Sequence, residues 1–198
     1  MIKAMIFDAD GVVILNDLYF SQQLERDYGI PLSQTEPFFA GVFHQCLVGK
    51  ADLKEELAKY IPVWGWQGTL DELLDYWFQC ENHVNEELLS DIQKLRSNGI
   101  KCYLATNQEK YRTKYLSEKM KFSQLFDKVF SSADIGYKKS DKEFFAKLGK
   151  ELTDIAPSEI MFWDDSKKNV AVAYQLGFNA YLYTNIENFR LTTKTRRE

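Results

Sequence analysis

Two kinds of apolar pattern divide the chain. One is the short run that is apolar on both faces, as buried parallel strands are. Ile2 to Phe7, Ile100 to Ala105, Ile160 to Trp163 and Ala180 to Tyr183 have this form, and Lys128 to Ser131 is a weaker example. The other is the helical stripe. Leu88, Leu89, Ile92 and Leu95 share one face, as do Tyr111, Tyr115, Leu116 and Met120, and then Phe144, Phe145, Leu148 and Leu152. Asn98-Gly99 and Gly177 are C-terminal stops, and Pro157 sits in a connection. Strands alternating with amphipathic helices predict an α/β fold, a doubly wound parallel sheet covered on both faces.

Residues 16–84 break that rhythm. Phe20, Leu24 and Tyr28 recur at helical spacing, and Leu53, Leu57 and Ile61 repeat it. Thr69-Leu70-Asp71-Glu72 is a capping box opening the stripe Leu70, Leu73, Leu74, Trp77 and Phe78. No strand is apparent, so a small helical insertion is expected between a core made of residues 1–15 and 85–198. The tail from Lys194 to Glu198 is expected to fray.

Composition narrows the class. Apolar residues are 45% and charged residues 27%, which excludes wholesale disorder. Lys and Arg number 25 against 29 Asp and Glu, with no basic stretch, so no nucleic-acid partner is expected. Cys46, Cys80 and Cys102 are far apart, odd in number and without a C-x-x-C. That argues against a disulfide framework or a zinc site and suits a reducing cytosol. Asp8 and Asp10 interrupt the first apolar stretch too soon for a signal peptide, and no run approaches membrane-spanning length. The expectation is a cytoplasmic protein with no membrane partner.

Ligands of open parallel sheets bind beyond the carboxyl ends of the strands. Three strands end in polar residues there: Asp8-Ala9-Asp10, Thr106-Asn107 and Asp164-Asp165. Period-two alternation would turn Asp8 and Asp10 to one side. Adjacent strands would then gather four carboxylates, whose mutual repulsion calls for protonation or a cation. An all-oxygen site favours a hard cation, Mg²⁺ first. Lys138 and Lys139, after the third strand, add positive charge for an anion. Taken singly, each of these segments also reads as a turn or a helix cap; their convergence on three strand ends is what marks a site.

These segments, in this order, resemble the haloacid dehalogenase-like (HAD) superfamily of hydrolases, in the subgroup with a small helical cap after the first strand. The resemblance rests on Asp8-Ala9-Asp10-Gly11-Val12, on Thr106 followed by Asn107, on the lysine within Gly136-Tyr137-Lys138-Lys139-Ser140-Asp141, and on Asp164-Asp165-Ser166-Lys167-Lys168-Asn169. It implies a Rossmann-like core with strand order 5-4-1-2-3. It also implies Asp8 as the nucleophile that becomes an aspartyl phosphate, and Asp10 as the acid and base. Thr106, Asn107 and Lys139 would hold the phosphoryl group, and Asp8, Asp10 (through its carbonyl), Asp164 and Asp165 would organise Mg²⁺. Ser140 stands where relatives usually have proline, and spacing from Gly136 and Asp141 favours Lys139 over Lys138. His44 and His83 have no metal-ligand spacing, and Trp64-Gly65-Trp66 is read as cap packing or an exposed loop. The implied activity is a Mg²⁺-dependent phosphatase acting on a small phosphorylated metabolite. The alternatives are a phosphomutase, a dehalogenase and a non-catalytic binding module.

Overall fold

The computed structural model describes residues 1–15 and 18–197. Asn16 and Asp17, at the expected start of the insertion, and Glu198 lie outside the described residues. Strand β1 (Ala4–Phe7) is the centre of a five-stranded parallel sheet, in the order β3-β2-β1-β4-β5. Its companions are β2 (Lys101–Thr106), β3 (Lys128–Ser131), β4 (Ile160–Asp164) and β5 (Asn179–Leu182). Read from the other edge this is 5-4-1-2-3, the order the resemblance implies. Phe7 pairs with Leu104 on one side and Trp163 on the other, and Thr106 pairs with Ser131. That register brings all the polar strand ends to one edge.

Among the described residues six helices stand between β1 and β2, and the first five are α1 (Phe20–Tyr28), α2 (Leu32–Ala40), α3 (Phe43–Cys46), α4 (Leu53–Trp64) and α5 (Leu70–Cys80). Then come α6 (Glu86–Ser97), α7 (Lys110–Glu118), α8 (Phe122–Leu125), α9 (Ser132–Ile135), α10 (Lys142–Glu151), α11 (Lys167–Gln175) and α12 (Ile186–Arg197). The helix expected to fray from Lys194 therefore continues to Arg197. The Thr69–Glu72 capping box forms as read, and Gly99 and Gly177 end their helices with positive φ.

Met5, Phe7, Leu104 and Trp163 meet Leu88 and Ile92 of α6 and Phe189 of α12 on one face of the sheet. Ala4, Ile6 and Phe162 meet Phe144, Phe145 and Leu148 of α10 on the other. Burying each of these larger side chains contributes about 1.5–3 kcal/mol, which fixes the strand ends that carry the site. Helices α1 to α5 enclose a separate cluster, including Phe20, Leu24, Phe38, Leu57, Trp64, Leu73 and Trp77. Tyr28, expected on that buried stripe, is 53% exposed and packs edge-on to Trp66 instead.

Helix α7 is the seam between the two clusters. Its Tyr111 and Tyr115 pack against the insertion's core, and the Tyr111 hydroxyl donates to Asp52 at 2.9 Å. The buried Arg112 guanidinium donates to the carbonyls of Phe78, at 2.8 Å, and Glu81. Glu109 caps this helix by accepting from the backbone N–H groups of Tyr111 and Arg112. Burial pushes its carboxyl up to about 7. A folded-state pKa above the ordinary value adds stability that is complete below the ordinary carboxylate range and is lost as pH rises through about 7. Glu109→Gln removes that loss. Denaturant titrations at about pH 5 and about pH 8 should therefore show the variant gaining on wild type with rising pH, by up to about 3 kcal/mol.

Candidate active site

The site begins where β1 runs out. Asp8 still donates its backbone N–H to Trp163, at 2.8 Å, and is held between the ends of β2 and β4. The chain then turns: Gly11 at φ +79° donates its N–H to the Ile14 carbonyl, and Asp10 bridges to Ile14. The turn carries the chain out of strand geometry directly after Asp8. Among the described residues, carboxylate oxygens of Asp8, Asp164 and Asp165 lie within 4.8 Å of one another, and Asp10 is not in that group. The Asp10 carboxylate instead accepts from the Gln108 side chain and faces a cavity beneath the insertion. The expected four-carboxylate cluster is a trio with the fourth acid beside it.

Lys139 is 1% exposed, and its ammonium joins Asp8 to Asp164, with 2.8 Å to the latter. Burial pulls its pKa down, but the two carboxylates outweigh burial and raise it. Lys138, the other lysine of the pair, reaches His44 of the insertion at 2.9 Å. The Asn107 side-chain oxygen accepts from the Lys139 backbone N–H at 2.9 Å, tying the β2 loop to the β3 loop. Asp164 is wholly buried, accepting from the Ser166 N–H at 2.8 Å and the Asn169 amide at 3.0 Å. It serves the turn into α11 as a cap would, and also faces the trio.

Charge defines what the site can hold. Burial, and then Asp164 and Asp10, raise the Asp8 carboxyl well above its ordinary value, although Lys139 pulls it down. Desolvation beside Asp164 raises Asp165 too. One ammonium does not balance these acids, so a hard divalent cation fits the oxygen-only trio. The Thr106 hydroxyl is buried with no hydrogen-bond partner among the described residues, a donor kept for something else at this edge. A buried orphan donor, a buried lysine and a carboxylate trio together fit a phosphoryl group beside Mg²⁺.

A Cβ built at Gly11 would overlap the Asp165 carboxylate. Gly11→Ala should cost roughly 1–2 kcal/mol from the left-handed φ alone. By displacing Asp165 it should also shrink the rise in melting temperature that added Mg²⁺ gives wild type.

Gln108, Glu81 and the ring walls of the cavity beside Asp10 were not singled out in the sequence. Phe20 and Trp77 lie on stripes that read as ordinary core, and Gln108 carries no motif.

The sequence and the fold both have known counterparts. The haloacid dehalogenase-like hydrolase model matches residues 2–177. A sesquiterpene phosphatase of Aspergillus oryzae is 32% identical over 180 residues, 88% of this chain and 86% of that protein. A D-ribitol-5-phosphate phosphatase of Bacteroides thetaiotaomicron is 26% identical over 199 residues, 96% of each. A HAD family enzyme from Bacteroides thetaiotaomicron, solved in complex with magnesium and inorganic phosphate, shares the fold at a TM-score of 0.81 and 23% identity, over 96% of this chain and 99% of that one. Sequence along nearly the whole core, and the strand-end geometry it encodes, agree: the chain belongs to the haloacid dehalogenase-like hydrolases.

Proposed function

We propose that the protein is a Mg²⁺-dependent phosphatase that frees inorganic phosphate from a small phosphorylated metabolite through an aspartyl phosphate on Asp8. The observation that carries this reading is the pairing of buried Lys139 with Asp8 and Asp164 beside Asp165, next to the unpartnered Thr106 hydroxyl. The phosphatase names of the two sequence relatives support it. Residues 1–15 and 85–198 carry the chemistry in this reading, and 16–84 form a cap over it.

Asp8, Asp164 and Asp165, with the Asp10 carbonyl, would hold Mg²⁺. When bound, it neutralises charge on the nucleophile and on the phosphoryl oxygens. Lys139 and Thr106 grip the same oxygens, with Asn107 at the rim. An Asp8 carboxylate oxygen attacks phosphorus, the bond from phosphorus to the alcohol oxygen breaks, and the Asp10 carboxyl gives that oxygen its proton. Asp10, now a carboxylate, takes a proton from water as the water oxygen attacks phosphorus. The acyl phosphate bond breaks, phosphate leaves, and Asp8 is a carboxylate again. Gln108 holds Asp10 toward the cavity where the leaving oxygen sits.

Phosphate release from acetyl phosphate and a panel of phosphomonoesters, with Mg²⁺ and with a chelator, tests the reading. Release that the chelator abolishes is expected; release from no compound overturns it. Thr106→Val keeps the shape and removes the orphan hydroxyl. It should leave the melting temperature unchanged or higher, and lower kcat/KM by roughly 10- to 100-fold.

A further inference from the structure

We infer that the leaving-group side of this site is built for an apolar, unsaturated alcohol, so that the substrate is a prenyl or aryl phosphate rather than a sugar or polyol phosphate. The inference rests on the phosphatase reading and names its substrate class. A cavity of about 300 Å³ opens onto Asp10 and Asn107 under the insertion. Its walls are Phe20, Phe39, Phe43, Leu47 and Trp77. Phe20 and Trp77 stack with centroids 4.5 Å apart and planes 11° from parallel, which braces one aromatic wall of the cavity. Phe39 stands edge-on to Trp77 at 5.5 Å and 84°, making a corner that a flat or branched carbon body fills.

Two of the polar side chains in the lining, Glu81 and Gln108, already bond within the protein. The two Glu81 carboxylate oxygens accept from the Phe20 N–H at 2.7 Å and from the Trp77 indole N–H at 3.0 Å. That carboxylate ties the start of α1 to the Trp77 ring. The Gln108 amide is on Asp10. Tyr19, 66% exposed, and Ser21 are the remaining hydroxyls of the lining. A polyol entering this space would exchange water for ring faces, and each hydroxyl left unpaired lowers binding by roughly tenfold or more. An apolar body loses nothing and gains burial. Apolar walls also discriminate weakly between similar carbon skeletons, so several apolar esters should be accepted.

The test compares kcat/KM, with Mg²⁺, for geranyl phosphate and phenyl phosphate against D-ribitol 5-phosphate and glycerol 3-phosphate. Acetyl phosphate, too short to fill the cavity, serves as the reference. The apolar esters are expected to exceed the polyol esters by about 10²-fold or more. Phe43→Asn should lower the ratio of geranyl phosphate to acetyl phosphate by about tenfold or more. Polyol esters equal to or better than apolar ones in wild type, with acetyl phosphate cleaved, would overturn the substrate class and leave the phosphatase reading standing. Failure to cleave even acetyl phosphate would remove both.

Discussion

Asp8→Asn is expected to lower phosphate release by roughly 10⁴-fold or more while the protein stays folded. The amide is almost the shape of the carboxylate, but it is a poor nucleophile toward phosphorus. Little structure depends on the charge. Asn oxygen can still accept the Ala9 N–H, which Asp8 holds at 2.7 Å, and Lys139 keeps Asp164 at 2.8 Å. Taking one of three crowded carboxylates away also relieves repulsion among those that remain. Steady-state phosphate release and a thermal melt on the same sample check both halves. A variant that keeps a tenth of the activity would place the nucleophile elsewhere.

Lys139→Met is expected to produce the largest loss of stability, about 3–5 kcal/mol near neutral pH, together with loss of activity. Methionine fills similar space but leaves Asp8 and Asp164 buried against each other with no ammonium between them. Burial already raises Asp8 against the pull of Lys139, and without that pull it rises further. A carboxyl with a raised folded-state pKa favours the folded state below its ordinary titration range, and that advantage fades as pH climbs through the raised value. The deficit of the variant should therefore be small in acid and grow with pH. Urea titrations at about pH 5 and about pH 8 read this directly. Added Mg²⁺ should recover part of the loss, because a cation held by the trio replaces some of the missing charge. Equal stability of variant and wild type at both pH values would mean that the lysine does not hold the carboxylates together.

Much of this was legible in the chain. The sheet showed as short runs apolar on both faces, because parallel strands are buried on both sides, and α6 and α10 showed as stripes, because each buries one face. Lys139 was separable from Lys138 by spacing, and the two part company in space, one to the carboxylates and one to His44. Helix α2 was missed because its segment has no apolar period and carries Pro37 inside it. That Asp10 stands beside the trio of Asp8, Asp164 and Asp165 is not legible for a different reason: the chain leaves β1 after Phe7, and alternation no longer fixes how close the carboxylates come. The cavity walls were hidden by chemistry shared with cores. Trp77 and Phe20 sit on amphipathic helices like any packing residue, and only the approach of α1 and α5 to the β2 loop shows that they also line a cavity with Asp10.

The central claim is that phosphorus becomes bonded to Asp8. The direct measurement is a rapid acid quench of wild type during turnover of a radiolabelled phosphoryl donor with Mg²⁺, followed by peptide mapping. Borohydride reduction of a parallel sample converts an acyl phosphate into homoserine at the labelled position. Label is expected on the peptide carrying Asp8, with homoserine at position 8, and neither in Asp8→Asn or with chelator. Phosphate released through the first turnover, with no label on that peptide at any quench time, would contradict it.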